Sequence, residues 1–143
     1  MTRSASMAAA ALAVGLAIAA APAAHADDFS GTYSFNAPAQ GYTKGFSTTW
    51  TVTPCGDDCR HITTATGGTD TDAHREGPHW VFYRYADPGV DCPSNAYIMT
   101  RTKMPATLRY TVDPEKMIGQ FQPEGTPCGG TPMPSRFDLT KLS

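Results

Sequence analysis

Gly45-Phe-Ser-Thr-Thr-Trp-Thr-Val-Thr53 is the stretch that decides the fold. Phe46, Thr48, Trp50 and Val52 fall on one side of an extended chain, and Ser47, Thr49, Thr51 and Thr53 on the other. Side chains alternate with a period of two along a strand. Apolar residues on one face and hydroxyls on the other mark a half-buried strand of an antiparallel sheet. The chain then runs through Pro54-Cys55-Gly-Asp-Asp-Cys59, and Cys59 to Thr66 reads as the returning arm of a hairpin.

The same texture extends outward in both directions. Thr, Tyr, Phe and Val are abundant, and Gly and Pro clusters cut the sequence about every 8–12 residues. Phe29 to Phe35 reads as a first strand, with Phe29, Gly31, Tyr33 and Phe35 on one face. Thr69 to Glu76 is polar and is expected to be an exposed or edge strand. His79 to Tyr85 is aromatic on both faces, Trp80 and Phe82 opposing Val81, Tyr83 and Tyr85. Asp87 to Pro93 is expected to be a loop, Ala96 to Met104 a further strand, and Pro105 its end. Thr107 to Val112 and Met117 to Gln122 form a hairpin about Asp113-Pro-Glu-Lys, and Arg136 to Leu142 closes the sheet with Phe137 and Leu139 inward. After residue 26 no segment carries a 3.6-residue apolar stripe of helix length. About eight or nine short strands joined mostly by hairpins point to an all-β, up-and-down, barrel-like (lipocalin- or calycin-like) domain, with a β-sandwich as the competing arrangement.

Residues 1–26 have a different character. Arg3 is followed by an Ala-rich apolar run from Met7 to about Ala24, and Ala24-His25-Ala26 has the small-x-small form of a cleavage site. The expectation is a secretory signal over 1–26 and a single secreted β domain over 27–143, with no transmembrane segment in the mature chain. Removing Arg3 leaves 10 Lys and Arg against 13 Asp and Glu, a net charge of −3. Such a domain lacks the concentrated basic face that nucleic acid requires.

All four cysteines, Cys55, Cys59, Cys92 and Cys128, lie after the signal. An even number in an exported chain argues for two disulfides. Opposed positions of a hairpin bring Cα atoms within bridging distance, so Cys55–Cys59 and Cys92–Cys128 are the favoured pairs. A Cys/His zinc site using His61 is the alternative.

Chemistry-bearing patterns are sparse. Asp70, Asp72 and His74 share one strand face; they suit a divalent cation or simply a solvated edge. His61 and His79 lack a recognisable nucleophile partner, and no Gly-x-Ser-x-Gly is present. No catalytic residue, metal ligand or cofactor is assigned. The aromatic side chains are the strongest hint. Trp50, Trp80, Phe82, Tyr97 and Tyr110 would either fill a barrel or line a cavity for an apolar ligand.

Phe29-Ser-Gly-Thr-Tyr33, Thr49-Trp-Thr-Val52, Cys55-Gly-Asp-Asp-Cys59, Gly77-Pro-His-Trp80, Cys92, Tyr110-Thr-Val-Asp113, Gly119, Cys128 and Phe137-Asp-Leu139 together give the chain a recognisable outline. It resembles a set of small exported mycobacterial and actinobacterial proteins of unknown function. It is also similar to extracellular sensor domains of some mycobacterial Ser/Thr kinases. The resemblance implies export and a disulfide-bonded β domain, and no activity. Gly31-Thr-Tyr33 is similar to the Gly-x-Trp of lipocalins, with Tyr33 in place of the Trp.

The combined expectation is a non-enzymatic secreted domain that binds an apolar small molecule or an envelope protein. A small secreted hydrolase and a structural envelope protein are the alternatives. Export from an actinobacterial host is expected to yield a chain beginning at Asp27. Intact-mass measurement checks this, and a chain that retains residues 1–26 would contradict it.

Overall fold

A computed structural model describes residues 29–41, 44–93 and 101–143. The segment 1–26 and Tyr97 lie outside the described residues. Eight strands follow one another: β1 (Gly31–Ala37), β2 (Phe46–Gly56), β3 (Cys59–Thr64), β4 (Asp70–Glu76), β5 (His79–Cys92), β6 (Thr102–Asp113), β7 (Ile118–Pro123) and β8 (Ser135–Lys141). Each pairs antiparallel with its sequence neighbours, and β8 returns to pair with β1, which closes an up-and-down barrel. The sandwich alternative is thereby excluded.

The inward residues are those the alternation assigns. On β2, Trp50 and Val52 are buried while Thr51 and Thr53 are exposed. Tyr33, Phe35, Leu108, Tyr110, Val112, Phe121, Phe137 and Leu139 complete most of the interior. An eight-stranded barrel is just wide enough for its own side chains to fill, and here rings do most of the filling. Phe35 stacks on Trp50, with centroids 4.7 Å apart, and lies against Phe137 at 4.7 Å. Phe82 stacks on Tyr110 at 4.6 Å, and Tyr110 on Phe121 at 5.1 Å. Gly119 is the inward position opposite Phe137. A Cβ there would collide with the Phe137 ring and sit 2.5 Å from the Thr111 carbonyl oxygen, so only glycine lets this ring reach the centre.

The two ends of the barrel differ. At the end carrying the β2–β3, β4–β5 and β6–β7 turns, Phe29 enters ahead of β1 and packs on Tyr33 and Trp80. Arg60 donates from Nε to the Phe29 carbonyl at 2.9 Å, and its guanidinium lies 4.6 Å above the Trp80 ring. Phe29 and Trp80 are fully buried. This end is plugged. The other end carries the β1–β2, β3–β4, β5–β6 and β7–β8 connections.

Both expected disulfides are present, one near each end. Cys55–Cys59 clasps the β2–β3 hairpin with Cα atoms 5.0 Å apart. Cys92–Cys128 ties the end of β5 to the β7–β8 loop with Cα atoms 5.3 Å apart. The cysteines are therefore unavailable as zinc ligands, and the zinc alternative falls.

Four expectations need correction. Asp87 to Cys92 is not a loop, and Pro105 does not end a strand. β5 and β6 are continuous through both, with the register shifting between Ala86↔Ala106 and Val90↔Met104. Asp87, Pro88 and Gly89 thus face Pro105 alone. Prolines remove ladder donors and are tolerated at bulges, so placing them opposite one another confines the damage to one interruption. Gly89 is required there because a Cβ would sit 2.7 Å from the Ala106 amide nitrogen. For the same reason Thr102 to Met104 belongs to β6 and is not a strand of its own; residues 94–100 lie outside the described residues. Finally, β4 is exposed over most of its length, as one of the two readings had it, but it is not an edge, since it pairs with both β3 and β5. A closed barrel has no edges.

Replacing Trp50 with Ala is expected to cost about 3–5 kcal/mol, as for a large buried aromatic. Denaturant unfolding measures this, and a wild-type-like curve would contradict the packing described.

Candidate functional site

The open end holds a cleft of about 180 Å³ that descends to the aromatic interior. Phe35, Phe46, Trp50 and Tyr110 form its apolar surface. Ser47, Thr48, Thr64, Thr66 and Thr69 also border it, and Gly68 and Arg84 complete the wall. Strand alternation places these groups. Phe46 and Thr48 are the first inward residues of β2, before Trp50, and Thr48 stands opposite Phe35 across the β1–β2 ladder. Arg84 is the next inward residue of β5 after Trp80 and Phe82.

The β3–β4 turn is rigidly bonded. The Thr69 amide donates to Thr64 Oγ1 at 3.0 Å, the Thr64 amide to the Thr69 carbonyl at 3.0 Å, and the Gly67 amide to the Thr64 carbonyl at 2.9 Å. Gly67 takes a positive φ of 71°, the left-handed conformation that glycine adopts without strain. The turn thereby presents the Gly68 carbonyl to Arg84, whose Nε donates to it at 2.8 Å. Nη1 of Arg84 donates to the Tyr110 hydroxyl at 3.4 Å, a long bond. In contrast, Oγ1 of Thr48 is buried and has no hydrogen-bond partner among the described residues.

Burial pushes the Tyr110 hydroxyl above its ordinary ionisation range, and the bond from Arg84 partly opposes this. The fold thus favours the neutral phenol over the phenolate.

Of the aromatic residues singled out in the sequence, Trp50 and Tyr110 line the cleft. Phe82 is one step deeper; its ring lies against Trp50 at 5.4 Å and on Tyr110. Trp80 belongs to the plug at the opposite end. Tyr97 lies outside the described residues. Trp50, Trp80, Phe82 and Tyr110 are all buried, so nearly all of their surface holds the barrel together, and of the four only Trp50 and Tyr110 are among the residues lining the cleft. Phe35, Phe46, Thr48 and Arg84 had not been singled out. Arg84 carried a usable signal: it is a charged residue at the inward parity of a strand whose other inward residues are Trp80 and Phe82.

Asp70, Asp72 and His74 do share the outer face of β4. The first two meet His61 of β3, which places Nε2 3.2 Å from Asp70 Oδ1 and Nδ1 2.7 Å from Asp72 Oδ1. The cluster stands on the outer face of the barrel, and His61 is not among the residues lining the cleft.

No family model matches this chain, and no curated protein or solved structure is significantly similar to it. Among the described residues no helix is long and apolar enough to cross a membrane.

The raised Tyr110 ionisation has a signed consequence. Below about pH 10 the residue is neutral both folded and unfolded, and stability does not depend on it. As pH rises beyond that, the unfolded chain ionises first and stability falls. Urea unfolding between pH 8 and pH 11 is expected to show a steeper alkaline loss for wild type than for Tyr110→Phe; parallel curves would contradict the assignment.

Proposed function

We propose that the mature chain is an exported, non-enzymatic binding domain that takes a small ring-bearing molecule at the open end of the barrel. The observation that carries this reading is the asymmetry of the two ends. One is plugged by Phe29 and Trp80, whereas the other holds a cleft whose lining includes Phe35, Phe46, Trp50 and Tyr110.

Size limits the ligand. The cleft, at about 180 Å³, is below the roughly 300–1,000 Å³ of drug-sized sites. It is comparable to the roughly 150 Å³ that accommodates a benzene ring in a protein interior. A long lipid chain does not suit a cleft of this size, whose Trp50 and Tyr110 are packed against Phe82, Phe121 and Phe137. The ligand is therefore one flat group seated at the mouth, with any remainder projecting outward. A binding role is favoured over hydrolysis because the His61–Asp70–Asp72 cluster is on the outer wall, remote from the cleft floor. Two disulfides bracing the ends suit a small domain that works in an oxidising extracytoplasmic setting.

Gly68 provides the test. A side chain there would enter at ordinary contact distance, the nearest atom being Nη2 of Arg84 at 3.6 Å. Gly68→Leu should therefore fill the mouth without disturbing the barrel. Saturation-transfer NMR on the oxidised, exported chain is expected to show transfer to benzyl alcohol, strongly reduced in Gly68→Leu. No transfer with wild type, or undiminished transfer with the variant, would overturn the proposal.

A further inference from the structure

We infer that the cleft selects a small organic acid, holding one carboxylate on Arg84 while its apolar part packs against the lining formed by Phe35, Phe46, Trp50 and Tyr110. This rests on the cleft being the binding site proposed above, and it names the class of ligand.

The first observation is an uncompensated charge. Among the described residues Arg109 pairs with Glu76 at 2.8 Å and Arg101 with Asp91 at 2.7 Å. No carboxylate of the described residues pairs with Arg84, although it is half-buried at an inward position beside aromatic rings. A cation drawn from water is costly unless something pairs with it. The second is its fixed orientation. Nε and Nη1 are anchored to the Gly68 carbonyl and the Tyr110 hydroxyl, and a guanidinium has five N–H donors. Nη2 makes no hydrogen bond to the described residues, so its two donors remain available in the cleft. A planar, immobilised guanidinium suits a planar carboxylate and loses little freedom on binding it.

The third observation is independent of Arg84. Thr48 is among the residues lining the same cleft from β2, and its buried Oγ1 lacks a partner among the described residues. A hydroxyl can donate to a carboxylate oxygen, which would satisfy both groups. Arg84 and Thr48 therefore supply one full charge and one neutral donor. That set matches a monoanion and undercompensates a phosphate dianion. The surrounding surface is apolar, and the volume admits one ring with its acid group.

The test compares phenylacetate with its neutral isostere phenylacetamide, by calorimetry at low salt and pH 7, using the exported chain. Phenylacetate is expected to bind at least about tenfold more tightly, as charge-assisted bonds in a partly desolvated site allow. Arg84→Gln should erase the difference. Thr48→Val, which keeps the shape and removes only the hydroxyl, should weaken phenylacetate a few-fold and leave phenylacetamide unchanged. Circular dichroism shows whether Arg84→Gln is folded, and if it is not, Thr48→Val still decides: an unchanged phenylacetate affinity there overturns the inference. Equal binding of the two compounds, a preference that survives in folded Arg84→Gln, or tighter binding of phenyl phosphate would each overturn the inference while leaving the cleft reading intact. Binding of none of these compounds would overturn both.

Discussion

Phe35 stands where the sheet closes on itself. Its strand pairs with β2 on one side and β8 on the other, and its ring touches Trp50 of the first and Phe137 of the second, each at 4.7 Å. The interior of eight closed strands is just wide enough for side chains to fill, and the rings around Phe35 supply much of that filling. Outside, the seam is reinforced by polar groups: Ser47 Oγ donates to Asn36 Oδ1 at 2.9 Å, and Asn36 Nδ2 donates to Asp138 Oδ1 at 3.2 Å. Removing the last edges leaves no unpaired strand to aggregate, which matters for a chain this rich in strand-forming residues.

The aromatic column also determines where anything else can bind. Phe35, Phe82, Phe121 and Phe137 occupy the middle and Phe29 with Trp80 seals one end, and the cleft lies at the other end, lined in part by Trp50 and Tyr110. Arg84 and Thr48 are polar for the same geometric reason: they occupy inward positions at the level where the barrel opens. Function is thus placed by the way the core runs out.

The local pattern made much of the fold legible. β2 was readable because its two faces differ in chemistry at every step, and the Cys55–Cys59 pair because a short Gly-Asp-Asp turn sets two cysteines opposite each other. The continuity of β5 and β6 was not readable, because the meaning of Pro88 and Pro105 depends on the strand opposite. Each alone reads as a break, and together they occupy one bulge. The status of β4 was hidden in the same way: its outward Asp70, Asp72 and His74 look like edge protection until β5 is seen beside it. In the site, Trp50 and Tyr110 were separable from Trp80 only by knowing which end each strand presents. Arg84 was within reach of parity alone.

Trp50 and Trp80 are the only two tryptophans in the chain, and they sit at opposite ends of the column. Their two indole N–H resonances therefore report on the two ends separately. A two-dimensional ¹H–¹⁵N titration of the exported chain with phenylacetate measures both at once. The account predicts a saturable shift of the Trp50 indole signal with the Trp80 signal unmoved. Movement of the Trp80 signal alone, or of neither, would contradict the claim that the barrel is sealed at one end and receptive at the other.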